Sequence, residues 1–237
     1  MVRPVIVIHR ASNLVAESKK DIGKPLPEEA DFIELDLDIS RDGLIFVFHD
    51  PRVGMFVFCE PLLLFPGGIK KKAHEVLFSE IQKVYPNAIR FEEIIKYTDP
   101  SRLVCELKSY TAYRGIVHIL HRMYSEAFHK MRFISFSMKA LLEIKNLDSS
   151  IYCGYIATSA GDDKRFHFMV HKKHITQCAQ NGIEEISGHW LTFRPRMIRM
   201  AHTKGLKVGI GQINTSYRAR YSKKNEVDVW YKDNFKL

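Results

Sequence analysis

The fold is indicated most strongly by the stretch from Asp31 to Asp50, which reads DFIELDLDISRDGLIFVFHD. Residues 31–37 are predicted to be a strand, and from residue 33 apolar and acidic side chains alternate, as in a strand with two differently lined faces. The tetrapeptide from Ser40 to Gly43 has the composition of a turn, and a second apolar run follows at once over 44–48. A connection this short has no room for a crossover helix, so the two runs are predicted to form an antiparallel hairpin.

Outward from this hairpin, strand-like and helix-like segments alternate along the chain. Besides 31–37, strands are predicted at 5–8, 103–107, 133–136, 151–156, 183–186, 207–213 and 227–231. Helices are predicted at 74–97 with a break at Pro86-Asn87, and at 114–128, 138–147, 164–180 and 195–202. Eight strands alternating with helices predict an α/β fold, a (β/α)8 TIM barrel with a β-hairpin excursion after strand 2. A doubly wound open sheet is the alternative.

Length and composition set the class of protein. The chain has 237 residues, of which 46% are hydrophobic and 27% charged, and these values exclude disordered, collagen-like and coiled-coil proteins. We expect residues 1–237 to form one domain, with a short variable insertion around 51–75. Four cysteines without a C-x-x-C pair indicate reduced thiols. The first apolar run is too short for a signal peptide, so a cytoplasmic location is expected.

The positive charge is unevenly distributed. The formal net charge is +9, and residues 191–237 contain 11 basic and 3 acidic side chains, so they account for +8 of it. A basic protein of this kind invites a nucleic-acid interpretation. No zinc-finger, helix-turn-helix or aromatic RNA-binding motif accompanies the charge, so no nucleic-acid partner is expected.

Polar side chains gather at the carboxyl ends of the predicted strands, where a barrel of this kind has its active site. They are His9, Arg10, Glu34, Asp36, His49, Glu106 and Lys108. Three carboxylates brought together repel one another, and a hard divalent cation such as Mg²⁺ or Ca²⁺ would offset that cost. The sequence therefore predicts a metal site of Glu34, Asp36 and Glu106.

Several motifs resemble those of the glycerophosphodiester phosphodiesterases. The stretch 9–18, HRASNLVAES, resembles the family's His-Arg-Gly and Pro-Glu-Asn opening without the Gly. The match is close over 31–37, 40–43 and 47–50, and Cys105-Glu106-Leu107-Lys108 resembles the family's Glu-hydrophobic-Lys. Ile134-Ser135-Phe136 and residues 227–233 resemble later strands of the family. Gly211-Gln212-Ile213-Asn214 replaces the family's Trp-Thr-Val-Asn, so an aromatic contact for glycerol is missing there.

The resemblance implies a (β/α)8 enzyme that releases glycerol 3-phosphate from a small phosphodiester. His9 and His49 would be the general acid and base, in an order the sequence leaves open. Arg10 and Lys108 would bind the phosphoryl oxygens together with the metal. In the family the neighbouring glycerol hydroxyl is thought to attack first, giving a cyclic phosphate that water then opens.

Other functions remain open. One is a related phosphodiesterase acting on a larger lipid headgroup, like a lysophospholipase D or a sphingomyelinase D. Another is a barrel with reduced or lost activity. Residues 55–72 combine apolar side chains with Lys70, Lys71 and Lys72, so they form either a loop packed on the barrel or a weak membrane contact. His167, His171 and His174 share one helix face, which we interpret as a polar surface stripe rather than a zinc site.

Overall fold

A computed structural model of the protein describes residues 3–9, 30–48, 62–108, 112–157, 167–191 and 193–233. The strands are β1 (Val5–Ile8), β2 (Phe32–Ile39), β3 (Ile45–Val47), β4 (Leu62–Phe65), β5 (Ile69–Lys72), β6 (Ile89–Arg90), β7 (Leu103–Leu107), β8 (Arg132–Ser135), β9 (Cys153–Ile156), β10 (Glu185–His189), β11 (Lys207–Gly211) and β12 (Val229–Lys232). The α-helices are α1 (Phe78–Val84), α2 (Phe91–Ile95), α3 (Tyr113–Met123), α4 (Ser125–Phe128), α5 (Met138–Leu147), α6 (His167–Gln180), α7 (Pro195–Thr203) and α8 (Ser216–Lys224). Short 3₁₀ helices span Pro66–Gly68, Ala73–Glu75 and Pro100–Arg102.

Eight parallel strands close into a barrel. Around the ring they follow the order β1, β2, β7, β8, β9, β10, β11 and β12, and β12 returns to pair with β1 in parallel. All eight strands predicted for the barrel are present, so the (β/α)8 TIM barrel is confirmed. The parallel ladders have helices over their outer face, which explains why strands such as β7 are buried along their whole length.

The hairpin after the second barrel strand is also confirmed. β3 runs antiparallel to β2, with Leu37 opposite Val47 and Ile39 opposite Ile45. The turn is closed by the Ser40 N–H, which donates to the Leu44 carbonyl at 3.0 Å. Gly43 adopts a φ of 77°, a left-handed conformation that costs glycine little and other residues more. The turn sequence therefore sets the register that returns the chain to the barrel.

The helix predicted over 74–97 is wrong in part, because a segment of this range forms a strand on the outer edge of β3. Only Phe78–Val84 and Phe91–Ile95 are α-helical within that range, and β6 lies between them, pairing antiparallel with β3 through Phe46 and Arg90. The predicted break at Pro86-Asn87 is present. The strand after it was missed, because a two-residue strand has no periodicity and forms only where a neighbouring edge offers hydrogen bonds.

Two other helix predictions differ from the structure. The helix predicted over 114–128 breaks at Tyr124 into α3 and α4. The helix α8 was not predicted, because only Ser222 among its residues is buried and an apolar stripe is absent. Its start is instead marked by Thr215, whose side chain accepts a hydrogen bond from the Arg218 N–H at 3.2 Å. This helix completes the connection from β11 to β12.

The core lies in two layers. The larger apolar cluster fills the space between the strands and the helices, and includes Leu35, Phe128, Phe133 and Ile186. A smaller one lies inside the barrel. Burial raises the pKa of the Cys153 and Cys178 thiols to about 12, and Cys105 is also a free, buried thiol. The predicted reduced thiols are present at these three positions, and Cys59 lies outside the described residues.

A buried carboxylate occupies the lower part of the barrel interior. Glu185 accepts hydrogen bonds from Tyr231 Oη at 2.8 Å and Tyr152 Oη at 3.0 Å. Below it the guanidinium of Arg132 lies between aromatic rings, 3.8 Å from the centroid of Phe32 and 4.5 Å from that of Tyr152. The lower end of the barrel is thus filled by polar and aromatic groups that satisfy one another.

Gly209 on β11 faces this carboxylate. A Cβ built at Gly209 would overlap Glu185 Oε1 and lie 2.8 Å from Ser187 Cβ. The backbone of β11 can approach Glu185 only because residue 209 has no side chain.

We predict that Gly209→Ala destabilises the protein by about 2 kcal/mol, since overfilling a packed interior forces its neighbours to shift. Gly115→Ala is the control, because a Cβ there would make an ordinary contact of 3.6 Å with Ile39 and alanine favours the helix. We expect it to stabilise by about 0.5 kcal/mol. Urea denaturation measures both, and a neutral Gly209→Ala would contradict the packing at Glu185.

Candidate active site

Three carboxylates meet where β2 pairs with β7. Glu34 and Asp36 project from β2, and Glu106 projects from β7, where it is the register partner of Asp36. One oxygen from each of the three lies within 4.8 Å of the others, and all three residues are buried. The two-residue spacing puts Glu34 and Asp36 on the same side of β2. The predicted metal-binding residues, called the acidic cluster below, are thus brought together.

Lys108, the residue after β7, lies among these carboxylates. Its Nζ is 3.0 Å from Asp36 Oδ1 and 2.9 Å from Glu106 Oε1. Burial lowers the pKa of this ammonium, but Asp36, Glu106 and Glu34 outweigh it and raise the pKa above its ordinary value. Burial raises the pKa of Glu106, and the charge of Asp36 raises it further while Lys108 opposes both. Among the described residues, one ammonium thus lies amid three carboxylates.

The donor set fits a hard divalent cation. Carboxylate oxygens are the ligands that Mg²⁺ and Ca²⁺ prefer, and a dication would reverse the unfavourable charge of the acidic cluster. Cysteine and histidine side chains, which softer metals prefer, are not part of this cluster of described residues. The charge and chemistry of the site agree on the class of ion.

His9 lies at the end of β1, held from the neighbouring strand. Its Nδ1 is 2.6 Å from Asp233 Oδ1, and Asp233 Oδ2 accepts a hydrogen bond from Asn214 Nδ2 at 2.6 Å. Because a carboxylate only accepts, Nδ1 carries the proton and Nε2 is left to exchange one. Protonated His9 lowers the pKa of Glu106, so the imidazole belongs to the same site as the acidic cluster.

Two predicted site residues, Arg10 and His49, lie outside the described residues. The residue before each of them is described, and its backbone hydrogen bond shows where the chain lies at that point. His9 precedes Arg10 and is hydrogen-bonded through its N–H to the Lys232 carbonyl at 2.8 Å. Phe48 precedes His49, and its N–H donates to the Asp36 carbonyl at 3.4 Å. The return arm of the hairpin therefore reaches the acidic cluster at its last described residue.

The sequence prediction missed the residues that hold His9. Asp233 and Asn214 fall within the motifs that resemble the family, but neither motif assigns them a contact. Their signal is positional: Asp233 follows the last barrel strand, and closure of the ring puts that strand beside β1. Periodicity along the chain cannot show such a contact, because His9 and Asp233 are 224 positions apart.

The side of the mouth farthest from β2 carries aromatic and basic groups. His189 ends β10. The backbone N–H of Trp190, the next residue, donates to the Gly211 carbonyl at 3.2 Å. The guanidinium of Arg218 lies 5.1 Å from the centroid of Trp190. Trp190 therefore lies one residue beyond β10 with its backbone bonded to Gly211, whereas the family motif has its Trp on the strand that corresponds to β11.

The histidine stripe on α6 was interpreted wrongly as a polar surface. His171 is fully buried, 5.3 Å from the ring of Phe193, and His174 packs against Tyr155 at 5.0 Å between centroids. The side chain of His167 is not described. α6 packs on α7, so a histidine at 171 contributes to the core between these helices.

The hairpin β4–β5 is the described part of the segment predicted as a loop or membrane contact. Leu63 is buried in a small apolar cluster, and Tyr85 Oη both donates to the Leu64 carbonyl and accepts from its N–H. Lys70 and Lys71 are exposed. No helix among the described ranges has the length and apolar composition needed to cross a membrane.

Comparison with known proteins finds likeness in structure only. No family model matches the sequence, and no curated protein matches it. Similar solved structures include a glycerophosphodiester phosphodiesterase from Thermotoga maritima, 16% identical, covering 98% of this chain and 96% of that one, with a TM-score of 0.71. The enzyme of that name from Parabacteroides distasonis is 17% identical over 97% and 92%, with a TM-score of 0.69. An Oleispira antarctica phosphodiesterase in complex with the product sn-glycerol-3-phosphate is 17% identical over 97% and 93%, with a TM-score of 0.68. The chain therefore has the fold of the glycerophosphodiester phosphodiesterases.

A divalent cation should stabilise this protein through the acidic cluster. We expect Mg²⁺ or Ca²⁺ to raise the free energy of unfolding by ~2.7 kcal/mol when the free ion is about a hundredfold above its Kd. Glu34→Gln keeps the shape of the side chain and should remove this gain, whereas Glu126→Gln on the exposed surface should keep it. Thermal denaturation with and without the ion measures the effect, and equal gains in both variants would exclude this site.

Lys108 should be essential for stability when no ion is present. Lys108→Met leaves Asp36 and Glu106 buried without their ammonium, so we expect a loss of about 3 kcal/mol in chelator, partly restored by Mg²⁺ or Ca²⁺. Lys130→Met breaks an exposed pair with Glu126 and should change little. Urea denaturation in chelator compares them, and a stable Lys108→Met would contradict the electrostatic role.

Proposed function

We propose that this protein is a metal-dependent glycerophosphodiester phosphodiesterase, which hydrolyses a phosphodiester to glycerol 3-phosphate and an alcohol. The observation that carries the proposal is the meeting of three buried carboxylates and Lys108 at the strand ends of the barrel. The shared fold, and the product held by the Oleispira antarctica protein, support a small phosphodiester as substrate. Hydrolysis of a phosphodiester needs positive charge at the phosphoryl oxygens and groups that carry protons, and barrel enzymes place such groups at this end of the fold.

Glu34, Asp36 and Glu106 would hold the ion, Mg²⁺ or Ca²⁺, which when bound supplies positive charge to the phosphoryl oxygens. Lys108 has its ammonium within the same group and would bind a phosphoryl oxygen from the protein side. Arg10, next to His9 in the sequence, would add a second cation. The substrate-binding roles of Arg10 and Lys108 are part of the proposal.

His9 would transfer a proton through Nε2, because Asp233 engages Nδ1. One histidine takes a proton from the attacking hydroxyl as the new P–O bond forms. The other gives a proton to the leaving oxygen as the old P–O bond breaks. His9 and His49 would share these roles, and the attacking group would be the neighbouring glycerol hydroxyl and then water, as the motif resemblance implies.

Two competing functions concern the substrate and the level of activity. One is hydrolysis of a phosphodiester with a larger lipid headgroup, and the other is a barrel of reduced activity. A panel of glycerophosphocholine, glycerophosphoethanolamine and lysolipids, with and without metal, separates them from the proposed one.

A cytoplasmic location and a weak membrane contact through residues 55–72 stay predictions from the sequence.

We predict that His9→Ala lowers kcat for glycerophosphoethanolamine by about 10²-fold or more, since general acid–base catalysis contributes that much. His118→Ala is the matched control, because that imidazole is exposed on α3 and pairs with the surface residue Glu143. Release of glycerol 3-phosphate measures the rates.

Chelation supplies the second arm of this test. Activity should vanish in chelator and return with Mg²⁺ or Ca²⁺. Near wild-type rates for His9→Ala, or full activity in chelator, would refute the proposed mechanism.

A further inference from the structure

A patch of exposed apolar side chains lies on the outer surface where the chain leaves β10 and β11. Leu191 and Tyr217 are 55% and 59% exposed. Both adjoin Trp190: Leu191 is the next residue in the chain, and the ring centroid of Tyr217 lies 5.9 Å from that of Trp190. Exposed apolar side chains that cluster in this way mark interaction surfaces, whereas isolated ones need no explanation.

Contacts between neighbouring elements support this patch. The guanidinium of Arg218 lies 5.1 Å from the ring centroid of Trp190, and the ring of Tyr221 lies 6.5 Å from it between centroids. Tyr221 Oη donates to the Phe193 carbonyl at 2.8 Å, so α8 is joined to the segment that precedes α7. Because these groups are already packed together, a partner that binds the patch has little side-chain entropy to remove.

Positive charge surrounds the patch. The stretch 215–225, which contains α8, has four basic and no acidic side chains. Arg194, just before α7, and Arg220 and Lys224 on α8 are exposed, and none of the three has an ion pair with any described residue. Tyr217, Arg220 and Lys224 are separated by three and then four positions, so they share one face of the helix. The surface therefore combines exposed apolar groups with cations that have no protein partner among the described residues.

An anionic lipid surface fits this combination better than a nucleic acid does. Tyrosine and aliphatic side chains favour the boundary between lipid headgroups and acyl chains, and exposed cations bind acidic headgroups. A single-stranded nucleic acid would instead stack its bases on free aromatic faces. Arg218 already lies against the ring of Trp190, and Leu191 has no polar group to contact a base or a phosphate.

We propose that the surface formed by Leu191, Arg194, Tyr217, Arg220 and Lys224, called the α8 face below, docks on membranes that contain anionic phospholipids. The three cations would contact the headgroups, while Leu191 and Tyr217 would enter the boundary with the acyl chains. Because Leu191 and Tyr217 follow the carboxyl ends of β10 and β11, docking would bring the mouth of the barrel close to the lipid. The α8 face is separate in sequence and in the fold from the hairpin β4–β5.

Sedimentation of the full chain with lipid vesicles tests the role of the cations. We expect binding to vesicles of phosphatidylserine and phosphatidylcholine in equal amounts, and little binding to phosphatidylcholine alone. Arg220→Gln combined with Lys224→Gln should weaken binding about 25-fold, since each cation near an anionic surface contributes about fivefold. Arg122→Gln combined with Lys139→Gln is the matched control, because these exposed residues on α3 and α5 lie across the ring and their loss changes the net charge equally.

A second pair of variants tests the apolar part of the α8 face. Leu191→Ser combined with Tyr217→Ser keeps every charge, and should weaken binding to the anionic vesicles about tenfold because less apolar surface enters the lipid. Tyr97→Ser combined with Met123→Ser is the control, since these side chains are 65% and 64% exposed elsewhere on the barrel. All four residues are exposed, so the folded state is expected to persist, and thermal denaturation verifies it.

Several outcomes would overturn the proposal. They are a wild-type protein that binds neither kind of vesicle or both equally, and α8-face variants that bind as well as their controls. Loss of binding only on Lys70→Gln combined with Lys71→Gln would assign the contact to the hairpin β4–β5 instead. Binding of single-stranded RNA through Arg220 and Lys224, without vesicle binding, would assign the face to nucleic acid. None of these measurements uses turnover, so the result is independent of the proposed hydrolysis.

Discussion

The ion pairs of Lys108 with Asp36 and Glu106 are the interaction on which the rest of this molecule depends. They allow two adjacent parallel strands, β2 and β7, to bury three carboxylates where the barrel opens. Carboxylates buried side by side repel one another, and this is an electrostatic cost that a dication can relieve. The same carboxylates that repel one another are the ones that would bind the ion, and Lys108 between them would bind the phosphodiester.

The acidic cluster lies above an apolar layer and a hydrogen-bonded carboxyl group inside the barrel. Apolar residues such as Val7, Val104 and Ile134 fill the interior beside the acidic cluster. At the lower end the carboxyl group of Glu185 accepts hydrogen bonds from two tyrosine hydroxyls. The upper carboxylates instead face one another around the ammonium of Lys108. Glu185 is therefore part of the packed interior, whereas the acidic cluster has the donor set of a metal site.

Where sequence prediction failed, the missing information was tertiary. β6 forms because β3 has an open edge, and no pattern in Ile89 and Arg90 reveals that edge. α8 lacks an apolar stripe, so only its cap at Thr215 marks it. His171 has the spacing of a surface stripe, but the packing of α6 on α7 buries it. In each case a neighbour in space decided the outcome.

The sequence by itself determined the barrel and the acidic cluster. Both follow from local rules: strands alternate with helices, and residues two apart on a strand share a side, as Glu34 and Asp36 do. Only the tertiary structure decided which groups act on one another across the ring. The pairing of His9 with Asp233, and the position of Arg218 over Trp190, join segments that are distant in sequence. Closure of the barrel creates those contacts, and no local pattern encodes a distance between strands that meet only when the ring is complete.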